Sequence, residues 1–326
     1  MLTGQLAVLL ATSKCFWCNG IMKSEQCKPS GFNAERMQGF LCAGRLPIAI
    51  GIAAVSAVAL DGWLGRRQWP STATRLVGSS EATEAMLTFS GLGSLDGASQ
   101  ARNIKQVFHL PGAHWEYSSD TFSIGALSQQ LSRSMPHLRH VGVNGHSMGG
   151  PTGLETVRRA LPDATFGPIV LHCSPFAFTD GRNHRLARAV SDVVRIPTGP
   201  ATKIAFSLIR SAAEGVLPWD AWAEAVTNAR SGCSPRVWLE QLRELQTVDL
   251  SSHRDGYARM VGEETKVWYC RPADPDMDRT VDTTQASERY GEFFEGLGVP
   301  YTIVNVPEAG HADVARACTQ LALLAG

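Results

Sequence analysis

The stretch His140-Val-Gly-Val-Asn-Gly-His-Ser-Met-Gly-Gly150 limits the possible folds more than any other part of the chain. A short apolar alternation, Val141 and Val143, runs into glycines on both sides of one serine. An amphipathic pattern follows at once, with Leu154, Val157 and Leu161 at helical spacing. Strand, tight turn and helix in immediate succession put Ser147 at the apex. Gly145-His146-Ser147-Met148-Gly149 also fits G-x-S-x-G, in which small residues give clearance where neighbouring backbone approaches an exposed serine.

Around this turn, short apolar runs alternate with longer amphipathic ones. Strands are expected at Ala85–Phe89, Gln106–Leu110, His140–Asn144, Pro168–Cys173, Lys266–Cys270 and Tyr301–Val304. Helices are expected near Phe122–Met135, Met148–Leu161, Thr284–Leu297 and Ala312–Leu323. Such alternation predicts an α/β domain with a mostly parallel, doubly wound sheet over 75–180 and 263–326. The stretch 181–262 has helical patterns instead and reads as a helical cap inserted before the strand that leads into an acidic loop. In ATKIAFSLIRSAAEGVL, Ile204 and Leu208 fall one turn apart, and Trp219, Trp222 and Trp238 add aromatic bulk.

Residues 1–65 read as a leader. The uncharged run LPIAIGIAAVSAVAL (46–60) is shorter than the roughly 20 residues of a membrane span and closer to a signal segment. It ends in Ala57-Val58-Ala59, and translation from Met37 would place a short basic region before it. The expectation is an exported or membrane-anchored protein, with membrane association through 46–60; without such a signal it would be cytoplasmic. Cys15, Cys18, Cys27 and Cys42 precede this run, and no second pair follows Cys15-x-x-Cys18 at zinc-finger spacing. Cys173, Cys233, Cys270 and Cys318 are compatible with two disulfides in an exported protein.

With 30 basic against 30 acidic side chains, no net positive field exists to bind nucleic acid. No metal site is expected, since there is no H-E-x-x-H; neither a Walker loop nor a strand-linked G-x-G-x-x-G suggests a nucleotide.

On its elbow and alternation, the chain resembles the α/β-hydrolase superfamily over most of 75–326, in the manner of serine esterases and lipases with a cap. That resemblance implies a nucleophile after the third parallel strand and an acid and a histidine later in the chain. Ser147 would be the nucleophile. Pro307-Glu-Ala-Gly-His311 follows a strand and precedes the last helix, as the family's G-H loop does, which makes His311 the general base. His146 would merely fill the variable position of the motif.

The acid is open between aspartates in RPADPDMDRTVDTTQASERY. Counted from the strand, Ala273-Asp274-Pro275 resembles the family's A-D-P step. Counted back from the helix, Asp278-x-x-Val281 fits, since Val281 can seat the following residues. Asp278 is preferred, then Asp274, then Asp276. Met86-Leu-Thr-Phe-Ser-Gly-Leu-Gly93 resembles the family's H-G-x-x turn with Ser90 in place of histidine, so the backbone N–H groups of Leu92 and Met148 would form the oxyanion hole.

The resemblance implies a carboxylic ester hydrolase that works without a cofactor, on a small ester whose apolar portion would suit Phe206, Leu208 and Trp219. An acyltransferase with the same triad, and a non-catalytic binding protein on this fold, are the alternatives.

Overall fold

A computed structural model describes residues 74–92, 97–118, 121–182, 184, 235–278 and 280–325. The chain divides into two compact units, one of 70–191 with 231–326 and the other of 1–69 with 192–230. The second unit lies outside the described residues. So do the segment 46–60, Cys15, Cys18, Cys27, Cys42, Cys233, and the cap residues Ile204, Phe206, Leu208, Trp219 and Trp222.

The first unit is a seven-stranded sheet. In chain order its elements are β1 (Arg75–Val77), β2 (Glu84–Phe89), α1 (Ala98–Phe108), β3 (Gly112–Glu116), α2 (Ile124–Ser134), β4 (His140–His146), α3 (Gly149–Ala160) and β5 (Thr165–His172). After these come α4 (Pro235–Thr247), α5 (Arg254–Met260), β6 (Val261–Pro272), α6 (Thr283–Glu295), β7 (Tyr301–Val306) and α7 (Val314–Ala325). The strand order is β1-β3-β2-β4-β5-β6-β7, and every pairing is parallel except β1 with β3.

Both faces of the sheet are buried, as β2 shows residue by residue. Ala85, Leu87 and Phe89 enter one core with Ile124, Leu127 and Leu131 of α2, Leu154 and Val157 of α3, and Tyr290, Phe293 and Phe294 of α6. Met86 points the other way, into a second core with Ile104 of α1 and Val314, Ala317 and Leu321 of α7. A strand buried on both sides needs apolar residues at successive positions, which is why these strands read as runs. Within 181–262, α4 and α5 send Val237, Leu242, Leu245, Tyr257 and Met260 into the larger core.

One expected strand is wrong. Gln106–Leu110 holds the last turn of α1, and the strand is Gly112–Glu116. Ala101, Ile104 and Phe108 recur at helical spacing, with the first two buried, and His109 ends the helix in the left-handed conformation at φ 57°. A short apolar run fits either element, and here the helical stripe prevails. Of the cysteines whose number is compatible with disulfides, Cys173, Cys270 and Cys318 are buried free thiols. Among the described residues, no helix is long and apolar enough to cross a membrane.

Candidate active site

The site forms where β4, β5 and β6 end together. Ser147 takes φ 51°, a left-handed conformation costly for a residue with a Cβ. Both its backbone groups are tied to the end of β5, which holds the strain. Its N–H donates to the His172 carbonyl at 2.8 Å, and its carbonyl accepts from Ser174 Oγ at 2.8 Å. The turn also requires close approach: a Cβ on Gly149 would lie 2.1 Å from the Phe89 carbonyl oxygen. Ser147 itself is 5% exposed.

His311 comes from the loop between β7 and α7. Its Nε2 lies 3.0 Å from Ser147 Oγ, and its Nδ1 lies 2.8 Å from Asp278 Oδ2. Asp278 is fully buried, and its other oxygen accepts the Thr280 and Val281 N–H groups, each at 2.9 Å. Burial disfavours the charged carboxylate, but the His311 hydrogen bond and charge, together with those two N–H groups, hold its pKa below the ordinary carboxylate value. An ionised acceptor therefore faces His311 Nδ1, which leaves the Nε2 lone pair for the serine proton.

Asp274 takes no part in this chain. It is exposed and accepts the Asp276 N–H at 3.1 Å, closing a short 3₁₀ turn (Pro275–Met277). Asp276 is exposed as well, 3.7 Å from Arg182. Of the three aspartates weighed from the sequence, the fold brings Asp278 to the histidine.

The turn after β2 lies against the elbow, since a Cβ on Gly91 would sit 3.1 Å from Ser147 Cβ. Among the described residues, no backbone hydrogen bond occupies the N–H of Leu92 or of Met148. Two unclaimed donors beside a serine can hold a developing oxyanion. Ser90 Oγ, which stands where the resembled turn has histidine, is buried without a hydrogen-bond partner among the described residues.

Cys173, Asp278 and His311 place one ligand atom each within 4.8 Å of one another, so a metal must be considered. The donor set fits poorly. Burial raises the Cys173 thiol pKa well above its ordinary value, and the Asp278 carboxylate raises it further, so the thiolate that binds metal is suppressed. The imidazole proton on Nδ1 is already shared with Asp278.

Sequence reasoning missed three residues. Ser174 holds the elbow, as described. His172 Nε2 lies 2.9 Å from Asn144 Oδ1, and Asn144 Nδ2 donates to Thr88 Oγ1 at 3.2 Å, a polar tie across three strands. Burial, with a smaller contribution from His146, lowers the His172 pKa to about 3. His146 does more than fill a motif position, because its Nε2 lies 2.9 Å from the His311 carbonyl oxygen. No pattern along the chain signals that contact, which spans 165 positions.

No family model matches the chain, and no curated protein matches it. Solved structures do. A carboxylesterase of the thaumarchaeon Nitrososphaera gargenis aligns with a TM-score of 0.50 at 13% identity, covering 76% of this chain and 92% of that one. A candidate aryl esterase from Burkholderia cenocepacia also gives 0.50 at 13% identity, covering 79% and 97%. At such identities the likeness is one of fold.

Proposed function

The chain has an α/β-hydrolase fold, and we propose that it is a serine hydrolase that cleaves a carboxylic ester through an acyl-enzyme. The observation that carries this reading is the unbroken hydrogen-bonded chain from Asp278 through His311 to Ser147 Oγ. Ser147 Oγ attacks the ester carbonyl while His311 Nε2 takes its proton. Asp278 keeps the imidazole in the required tautomer and stabilises the imidazolium that forms. The N–H groups of Leu92 and Met148 hold the oxyanion of the tetrahedral intermediate. As that intermediate collapses, the C–O bond to the alcohol breaks and His311 returns the proton to the leaving oxygen. Water then attacks the acyl-enzyme with His311 again as base, releasing the acid and restoring Ser147. No cofactor is required.

A carboxylic ester is favoured as the substrate class because the N. gargenis protein of like fold is a carboxylesterase. A small ester with an apolar portion, and export or anchoring through 46–60, complete the reading on sequence grounds. The test is turnover of p-nitrophenyl esters of increasing acyl length by wild type and by Ser147→Ala. A loss of about 10³-fold or more in the variant is expected. Equal turnover by both proteins would overturn the assignment. Adding a competing alcohol separates hydrolysis from acyl transfer, since a dominant transesterification product would favour an acyltransferase.

A further inference from the structure

His146 touches three separate parts of the site. Its Nε2 meets the His311 carbonyl oxygen at 2.9 Å. A carbonyl can only accept, so the proton belongs on Nε2 and Nδ1 keeps its lone pair. That lone pair faces Gln100 Nε2, on the first turn of α1, at 3.4 Å. The turn after β2 closes over the same ring, since a Cβ on Gly91 would come within 2.8 Å of Nδ1. The rings of His146 and His311 lie 5.2 Å apart, tilted by 48°.

The His311 loop needs such a tie. Glu308 is left-handed at φ 50°, Asp278 holds the His311 ring, and the loop backbone is pinned beside it by Gly310 N–H to Asp313 Oδ2 at 2.7 Å and Arg316 Nη1 to the Glu308 carbonyl at 2.7 Å. The His146 bond acts on the backbone of His311 itself. Burial, reinforced by neighbouring His311, lowers the His146 pKa to about 4, so the ring stays neutral and does not compete for the proton that His311 must carry.

We propose that His146 is a positioning residue for His311. Anchored by Gln100, its N–H···O=C bond sets the distance at which His311 Nε2 meets Ser147 Oγ. This rests on the reading of Ser147 as nucleophile and His311 as base. A displacement on the order of 1 Å at a reacting pair costs roughly 100-fold in rate.

The test uses His146→Leu, which fills the space without a donor, His146→Gln, which retains an N–H, and Gln100→Leu, which removes the anchor. Each is assayed for kcat, KM and the rate of Ser147 labelling by a fluorophosphonate, below its own unfolding transition. For His146→Leu the expectation is a fall of about 10- to 100-fold in kcat and labelling rate, with KM within about threefold of wild type. His146→Gln should recover part of the loss, and Gln100→Leu should fall in the same direction by less. Equal losses in the Leu and Gln variants of His146 would make the role one of packing and overturn the proposal. Wild-type rates in folded His146→Leu would overturn it too. If His146→Leu does not fold, Gln100→Leu decides: a kcat loss without a KM change supports the brace, and wild-type kcat refutes it. Absence of Ser147-dependent labelling in the wild type would instead refute the underlying hydrolase reading, so the two failures are distinguishable.

Discussion

Replacing Asp278 by asparagine isolates what the buried carboxylate does. The shapes match, but the hydrogen-bonding roles do not. The Thr280 and Val281 N–H groups, both 2.9 Å from Oδ1, require an acceptor, so the amide oxygen must occupy that side. The amide NH₂ is then left 2.8 Å from His311 Nδ1, where the carboxylate oxygen was. An NH₂ group only donates, so the imidazole must offer a lone pair at Nδ1 and move its proton to Nε2. That proton then points at Ser147 Oγ, 3.0 Å away, and no base remains for the hydroxyl. The same substitution in another serine-histidine-aspartate enzyme lowers kcat by about 10⁴, or roughly 5 kcal/mol at about 1.4 kcal/mol per decade. Asp278→Asn is therefore expected to lose about 10⁴ in ester turnover and in the rate of fluorophosphonate labelling, with its fold intact by circular dichroism. Asp274→Asn keeps an oxygen that can accept the Asp276 N–H of an exposed turn and should stay within about twofold of wild type. A folded Asp278→Asn within about tenfold of wild type, or an equal loss in Asp274→Asn, would refute the reasoning.

Other expectations follow from the packing and from the buried imidazoles. Gly149→Ala drives a Cβ to within 2.1 Å of the Phe89 carbonyl and should cost about 3 kcal/mol or more, read by urea denaturation; a cost under about 1 kcal/mol would contradict the geometry of the turn. His172 has a native pKa of about 3 against an unfolded value of about 6.5, so below pH 6.5 the unfolded chain takes up a proton that the native state refuses. Stability should accordingly fall as the pH drops from about 6.5 towards 3, by at most on the order of 5 kcal/mol from this residue, and His172→Gln should flatten that slope in denaturation curves taken across the range. Asp278 has the opposite charge type and a lowered pKa, so its contribution is present above about pH 4 and is lost only as the pH falls further, through the native value. Peptide mapping after alkylation should find Cys173, Cys270 and Cys318 unmodified in the native protein and modified after unfolding, because all three are buried thiols.

The elbow could be read from the sequence because its requirements are local. A strand, a serine between glycines and a helix occupy consecutive residues, and His311 sits in an equally compact strand-loop-helix pattern. The acid was harder to read. Asp274 and Asp278 lie in one loop, and only the tertiary path brings His311, 33 positions on, to Asp278. Gln106–Leu110 failed as a strand because Val107 and Phe108 satisfy either period, and the choice depends on Ala101 and Ile104 earlier in the helix. His146 and Ser174 could not be found at all by pattern. Each matters through a backbone carbonyl that folding brings near, His311 in one case and Ser147 in the other.

The central claim is that Ser147 is a nucleophile activated by His311. Its most direct measurement is covalent labelling of the folded protein with a fluorophosphonate, with the modified residue located by mass spectrometry. The account expects one adduct, on Ser147, absent in Ser147→Ala and strongly slowed in His311→Ala. Wild type that stays folded and unlabelled, or a label that persists in Ser147→Ala, would contradict it.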